Sequence, residues 1–146
     1  MSKASDWWTA PTESENGRLI MVTGRRDVTV FRNNPRFNIR VEITWKYIGD
    51  ASGMPDDNTS SLMEGVQDAL EQAFKKDPVA VLTGIYTGDN ERNWVFYTLS
   101  THIFGKKINE ALAQFELLPI TIYCENDAEW NEYQEMKELS EIDAGD

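Results

Sequence analysis

The chain has one cysteine, Cys124, and one histidine, His102. An intramolecular disulfide is therefore excluded, which fits a reducing compartment. A structural zinc site is excluded as well, since it needs four Cys or His ligands. A Cys–His nucleophile pair would require these two residues to meet in space. Their expected places, a solvent-facing helix start and a strand position filled by a small hydrophobe, argue for structural roles. Glycine-rich phosphate loops are missing too: Gly49, Gly53, Gly84 and Gly88 lack the spacing and the following Lys-Ser/Thr. The oxygen-rich stretches Asp56-Asp57-Asn58 and Asp89-Asn90-Glu91 lack the alternation, central glycine and terminal Glu of a calcium loop, and read as cap and turn chemistry. No apolar run is long enough to cross a bilayer. The opening segment, with Lys3 as its one base and no apolar stretch, does not read as a signal peptide. A cytoplasmic, non-catalytic protein without metal or cofactor is expected, as a monomer or small homo-oligomer.

Positive charge is scarce toward the C-terminus. Among 146 residues the formal net charge is −11, and residues 125–146 hold one lysine against nine acids. Such a chain repels free nucleic acid and anionic membranes at long range. A basic protein surface is the better partner, although acidity also serves plain solubility.

What is present is a clear pattern of elements. Residues 18–22 and 28–32 are short β-type runs around Thr23-Gly24-Arg25-Arg26-Asp27, with Gly24 able to supply a positive φ, and read as a β-hairpin. From Phe37 to Tyr47, apolar residues alternate without a break: Phe37, Ile39, Val41, Ile43, Trp45 and Tyr47 share one face. Asn38, Arg40, Glu42, Thr44 and Lys46 take the other, which should see water or a partner. A helix follows over 59–76, capped within 58–61, with Ser61 and Glu64 as a capping box and Leu62, Met63, Val66, Leu70 and Phe74 on its apolar stripe. Strands are expected at 79–87 and 92–100 around a Gly88–Glu91 turn. A helix at 101–116 is capped by Ser100 or Thr101, and Pro119 marks the entry to a strand at 118–124. A last acidic helix begins at Asn126 or Asp127, and residues 140–146 read as a disordered acidic tail. The sequence thus predicts a single α+β domain over 1–139. It should be a ferredoxin-like βαββαβ sandwich, both helices on one face of a four-stranded antiparallel sheet, with an N-terminal hairpin and a last helix at an edge or end.

Two surfaces could carry function. Asp127, Glu129, Trp130, Glu132 and Tyr133 would combine carboxylates with two aromatics at helical spacing, a patch suited to a basic protein partner whose approach is steered by charge. The same pattern is also what a terminal helix needs to dock, with Trp130 and Tyr133 as anchors and the acids complementing its dipole. The second is a pocket between the 49–58 loop and the sheet, walled by Tyr47, Met54 and Trp94, which would make a small-ligand or enzymatic domain. Base stacking by Trp94 and Phe96 on the sheet, as in RNA-recognition domains, is disfavoured because the glycines and bases of that motif are absent. Assembly through a sheet edge is a third possibility.

Three segments, Trp45-Lys46-Tyr47 with Gly53-Met54-Pro55, then Thr87 through Thr98, then Asp127-Ala128-Glu129-Trp130-Asn131-Glu132-Tyr133, resemble a bacterial family of unknown function, number 695 among such domains. The likeness spans about Trp7 to Leu139. That family is similar in turn to the regulator of ribonuclease activity B, an acidic protein that inhibits an RNA-processing endoribonuclease by binding it. The resemblance implies a ferredoxin-like fold without known catalysis, and it assigns no functional residue.

Overall fold

The computed structural model describes residues 6–145, with side chains described as far as Ser140. Six strands form one antiparallel sheet: β1 (Trp7–Glu13), β2 (Leu19–Arg25), β3 (Ile39–Lys46), β4 (Ala80–Gly88), β5 (Glu91–Thr98) and β6 (Ile120–Asn126), in the spatial order β1-β2-β4-β5-β3-β6. The helices are α1 (Thr29–Arg32), α2 (Asp57–Ala73), α3 (Thr101–Leu112) and α4 (Asn131–Gly145). None among the described residues is long and apolar enough to cross a membrane.

The alternation in β3 sets the first core. Val41, Ile43 and Trp45 face α2 and α3, where Met63, Val66, Leu70, Phe74, Phe104 and Ile108 meet Leu82, Trp94 and Phe96. Aromatic edges fill this layer: Phe96 meets Phe104 edge-on at 5.2 Å, and Trp45 meets Trp94 at 6.2 Å between centroids, geometries that add to area burial. Ser100 caps α3 as expected. For α2 the cap is Asp56, whose side chain accepts from the Thr59 amide at 2.7 Å. The Ser61–Glu64 box lies a turn inside the helix, so its capping role is corrected. The β4–β5 turn uses Asp89 and Asn90 at φ 49° and 69°, the two positive values that a tight right-twisting hairpin requires.

The N-terminal hairpin differs from the expectation. Its strands are β1 and β2, and its turn runs from Ser14 to Arg18 with Gly17 at φ 75°. Residues 29–32, expected as a strand, form the short helix α1. Val28 and Phe31 there join a second core with Trp8, Ala10 and Val22, and a helical turn lets both reach it. Gly24 is not a turn glycine. It lies inside β2, where an added Cβ would stand 2.2 Å from the Trp8 ring, so its role is to admit the indole. The sequence leaves open whether the hairpin extends the four-stranded sheet or covers its open face; it extends the sheet through β2–β4 pairing, making six strands.

The second core occupies the sheet face opposite α2 and α3. It is closed by α4, which crosses β1, β2 and β4, not by an edge position as expected. Trp130, Tyr133 and Met136 are its contribution. Phe37, expected on the face of Val41, packs here because it precedes the strand. Helix α4 begins at Asn131, later than expected, since β6 continues to Asn126. It runs on through Ser140, so the expected domain end at 139 falls inside a helix. The side chains of 141–145 and the whole of Asp146, part of the expected tail, lie outside the described residues.

Candidate functional site

The β6–α4 corner is built around Asp127 and Trp130. The Asp127 carboxylate accepts from the amides of Asn131 and Glu132 at 2.9 and 3.1 Å and from the Tyr97 hydroxyl at 2.7 Å. Burial pushes its pKa up, but these hydrogen bonds outweigh that and hold it below the ordinary value. Trp130 takes φ 55°, a left-handed conformation that a bulky residue adopts only when its surroundings compel it. Its ring stacks on Tyr97 at 4.0 Å between centroids and its indole N–H donates to the Phe37 carbonyl at 2.7 Å. Tyr133 donates to the Arg25 carbonyl at 2.6 Å. Trp130 is 1% and Tyr133 2% exposed.

The two aromatics are therefore anchors within the second core and not the edge of a surface patch. Their amphipathic ends point to backbone carbonyls, and burying both rings is what docks α4. Glu129 stays exposed. Asp127 and Glu132 turn toward a cleft of about 850 Å³ between the hairpin tip, the sheet and α4.

Nine of the described residues lining this cleft are Asp or Glu, and Arg40 is its one basic side chain. They come from far-apart segments: Glu13 and Glu15 from the hairpin, Glu42 from β3, Glu91 from β5, Glu125 from β6 and Glu135 from α4. Arg40 is 8% exposed and already engaged. Its Nε donates to Glu125 and its Nη1 to Glu42, each at 2.8 Å. Burial alone would lower its pKa, but the hydrogen bonds from it to Glu42 and Glu125 raise it above the ordinary value, so the charge is permanent. The polar side of β3, expected to see water or a partner, thus forms the floor of the cleft.

Glu132 sits deepest. Tyr86 donates a short hydrogen bond to its Oε2, while its Oε1 is buried without a hydrogen-bond partner. Desolvation pushes the Glu132 carboxyl up, more than the Tyr86 hydrogen bond and Arg40 pull it down. Burial and the neighbouring Glu132 push the Tyr86 phenol up as well.

The expected pocket walled by Tyr47, Met54 and Trp94 cannot use Trp94 as a wall. Trp94 is fully buried in the first core, where its indole N–H donates to Gln67 Oε1 at 3.0 Å. Tyr47 donates to the Gly53 carbonyl at 2.7 Å and its pKa is pushed up to about 12 by burial. That bond seals the 49–58 loop onto the sheet. His102 and Cys124 are both exposed, and partial burial pushes the thiol up, away from the reactive thiolate.

The site missed by sequence reasoning is the convergence of Glu13, Glu15, Glu42, Glu91 and Glu135 with Asp127 and Glu132. One signal was present: Arg40 and Glu42 alternate with the apolar side of β3, marking the face that the cleft uses.

Fold and site define an acidic-cleft α+β protein built on one antiparallel sheet. The model of a family of unknown function, DUF695, matches residues 6–136. The chain belongs to that family. No curated protein and no solved structure gives a significant match.

Proposed function

We propose that this protein is a non-catalytic binding module whose cleft receives a cationic segment of a protein partner. The carrying observation is the concentration of nine carboxylates around one permanently paired arginine. Such a site focuses negative potential in a concavity, favours positive ligands and speeds their encounter. The strand run β4-β5-β3-β6, with α2 and α3 on one face, supports reading the scaffold as ferredoxin-like. The likeness of Asp127-x-Glu129-Trp130-x-x-Tyr133 to the regulator of ribonuclease activity B favours a regulatory role.

A raised carboxyl in a cleft is also the mark of a general acid, and Glu132 favours that second reading. Its unpaired oxygen is buried away from solvent, so it is poorly placed to reach a substrate, and binding is the stronger reading.

Binding of a capped oligolysine peptide, followed by calorimetry across salt concentrations, tests the proposal. The pair Glu13→Lys and Glu135→Lys, exposed residues on the cleft rim, should weaken binding by about tenfold, roughly 1.4 kcal/mol. The pair Glu110→Lys and Glu116→Lys changes net charge equally on exposed residues outside the cleft, and should weaken it far less. Equal losses would mean attraction by net charge alone.

A further inference from the structure

The two edges of the sheet are not alike. Strand β1 closes one side and carries Pro11 in its interior, which has no N–H to donate and blocks pairing with a further strand. Strand β6 closes the other side and pairs with β3 along its whole length, Ile39 opposite Asn126 through Trp45 opposite Ile120. Its sequence Ile-Thr-Ile-Tyr-Cys-Glu-Asn contains no proline, glycine, lysine or arginine, and its register is free of bulges. Proline, lysine and a bulge, three common devices that blunt an edge, are missing, and Glu125 is its one charged residue. Among the described residues nothing pairs with its outer side.

The side chains of this edge are divided by chemistry. Ile122 and Cys124 lie opposite Ile43 and Val41 and so point to the helical face. Ile122 is 46% exposed there. Tyr123 and Glu125 lie opposite Glu42 and Arg40 and point to the cleft face. Glu125 lines the acidic cleft itself, so the edge and the cleft form one continuous surface.

We infer that β6 is an acceptor for an extended segment of the basic partner, added as a seventh antiparallel or parallel strand, with aliphatic residues toward Ile122 and basic residues toward Glu125 and the cleft. This rests on the acidic-cleft reading and deepens it. Main-chain hydrogen bonds supply affinity in such strand addition, and alternate side chains supply specificity. Charge decides between occupants. A second copy of this chain would bring another net −11 against the same acidic side, whereas a basic strand is complementary.

A capped heptapeptide alternating lysine and valine is the probe, with hydrogen exchange of the β6 amides read by NMR. Added peptide should slow exchange within residues 120–126 by at least about tenfold. The same peptide N-methylated on alternate residues keeps its charge but loses backbone donors, and should bind at least about tenfold weaker. Equal binding of both peptides, with shifts confined to cleft residues such as Glu13 and Glu135, overturns the strand addition and leaves the acidic cleft standing. Absence of binding by either at low salt overturns both. Protection of β6 that grows with protein concentration in the absence of peptide assigns the edge to a second copy and also overturns the inference.

Discussion

The two faces of the sheet use aromatic residues differently. Under α2 and α3, Trp45, Trp94, Phe74, Phe96 and Phe104 make a layer held by area and ring geometry, with few polar atoms to satisfy. Under α4, Trp8, Tyr97, Trp130 and Tyr133 bury comparable rings, but Tyr97, Trp130 and Tyr133 each direct a polar end to a partner. Beside them the same face opens into the acidic cleft. One face is a largely apolar core, and the other combines a core with a charged site by keeping its polar atoms in a connected network.

If both faces are true cores, Phe96→Ala and Trp130→Ala should each cost about 3–5 kcal/mol in denaturant unfolding. A loss under about 1 kcal/mol for Trp130→Ala would show that α4 is a loosely held cover. Next in size, Gly24→Ala forces a methyl against the Trp8 ring and should cost about 2–3 kcal/mol, sharpening the claim that the hairpin belongs to the second core. Arg40→Met leaves Glu42 and Glu125 without their cation. Because those carboxylates are partly exposed, the expected loss is about 1–2 kcal/mol, and greater binding of oligolysine should accompany it.

The smallest effect has the opposite sign. Glu132 in the native state holds its proton above the ordinary glutamate value of 4.5, while the unfolded chain releases it there. As pH rises from about that value through the native one, the unfolded state binds fewer protons, and stability falls. Glu132→Gln removes that loss and keeps an acceptor for Tyr86. Measured by denaturant unfolding, its stability should fall less than that of wild type as pH rises from about the ordinary glutamate value to 7. A gap between the two that is independent of pH would mean that the carboxyl is not held protonated by burial.

Much of the scaffold was legible because each element satisfies a local rule. The strand through Val41, Ile43 and Trp45, the stripe of Met63, Val66 and Leu70, the cap at Ser100 and the Asp89-Asn90 turn can all be read within a few residues. The hairpin was misplaced because Trp7 and Trp8 are neighbours and break the period, while Gly24 mimics a turn residue whose real purpose lies across the strand. The patch at 127–133 was located but turned inside out. Its spacing marks one face of a helix, and spacing alone does not say whether that face meets solvent or sheet.

By itself, then, the sequence determined the α+β class, the types of most elements from β3 onward and the strong negative charge, because these follow from composition and from periods of two and about 3.6 residues. Only tertiary structure decided that six strands share one sheet, that α4 covers the face opposite α2 and α3, and that acidic side chains from four separate strands, three loop positions and a helix surround one cleft. The reason is that convergence depends on strand order and on which face each side chain takes, and both are settled by contacts between residues far apart in the chain.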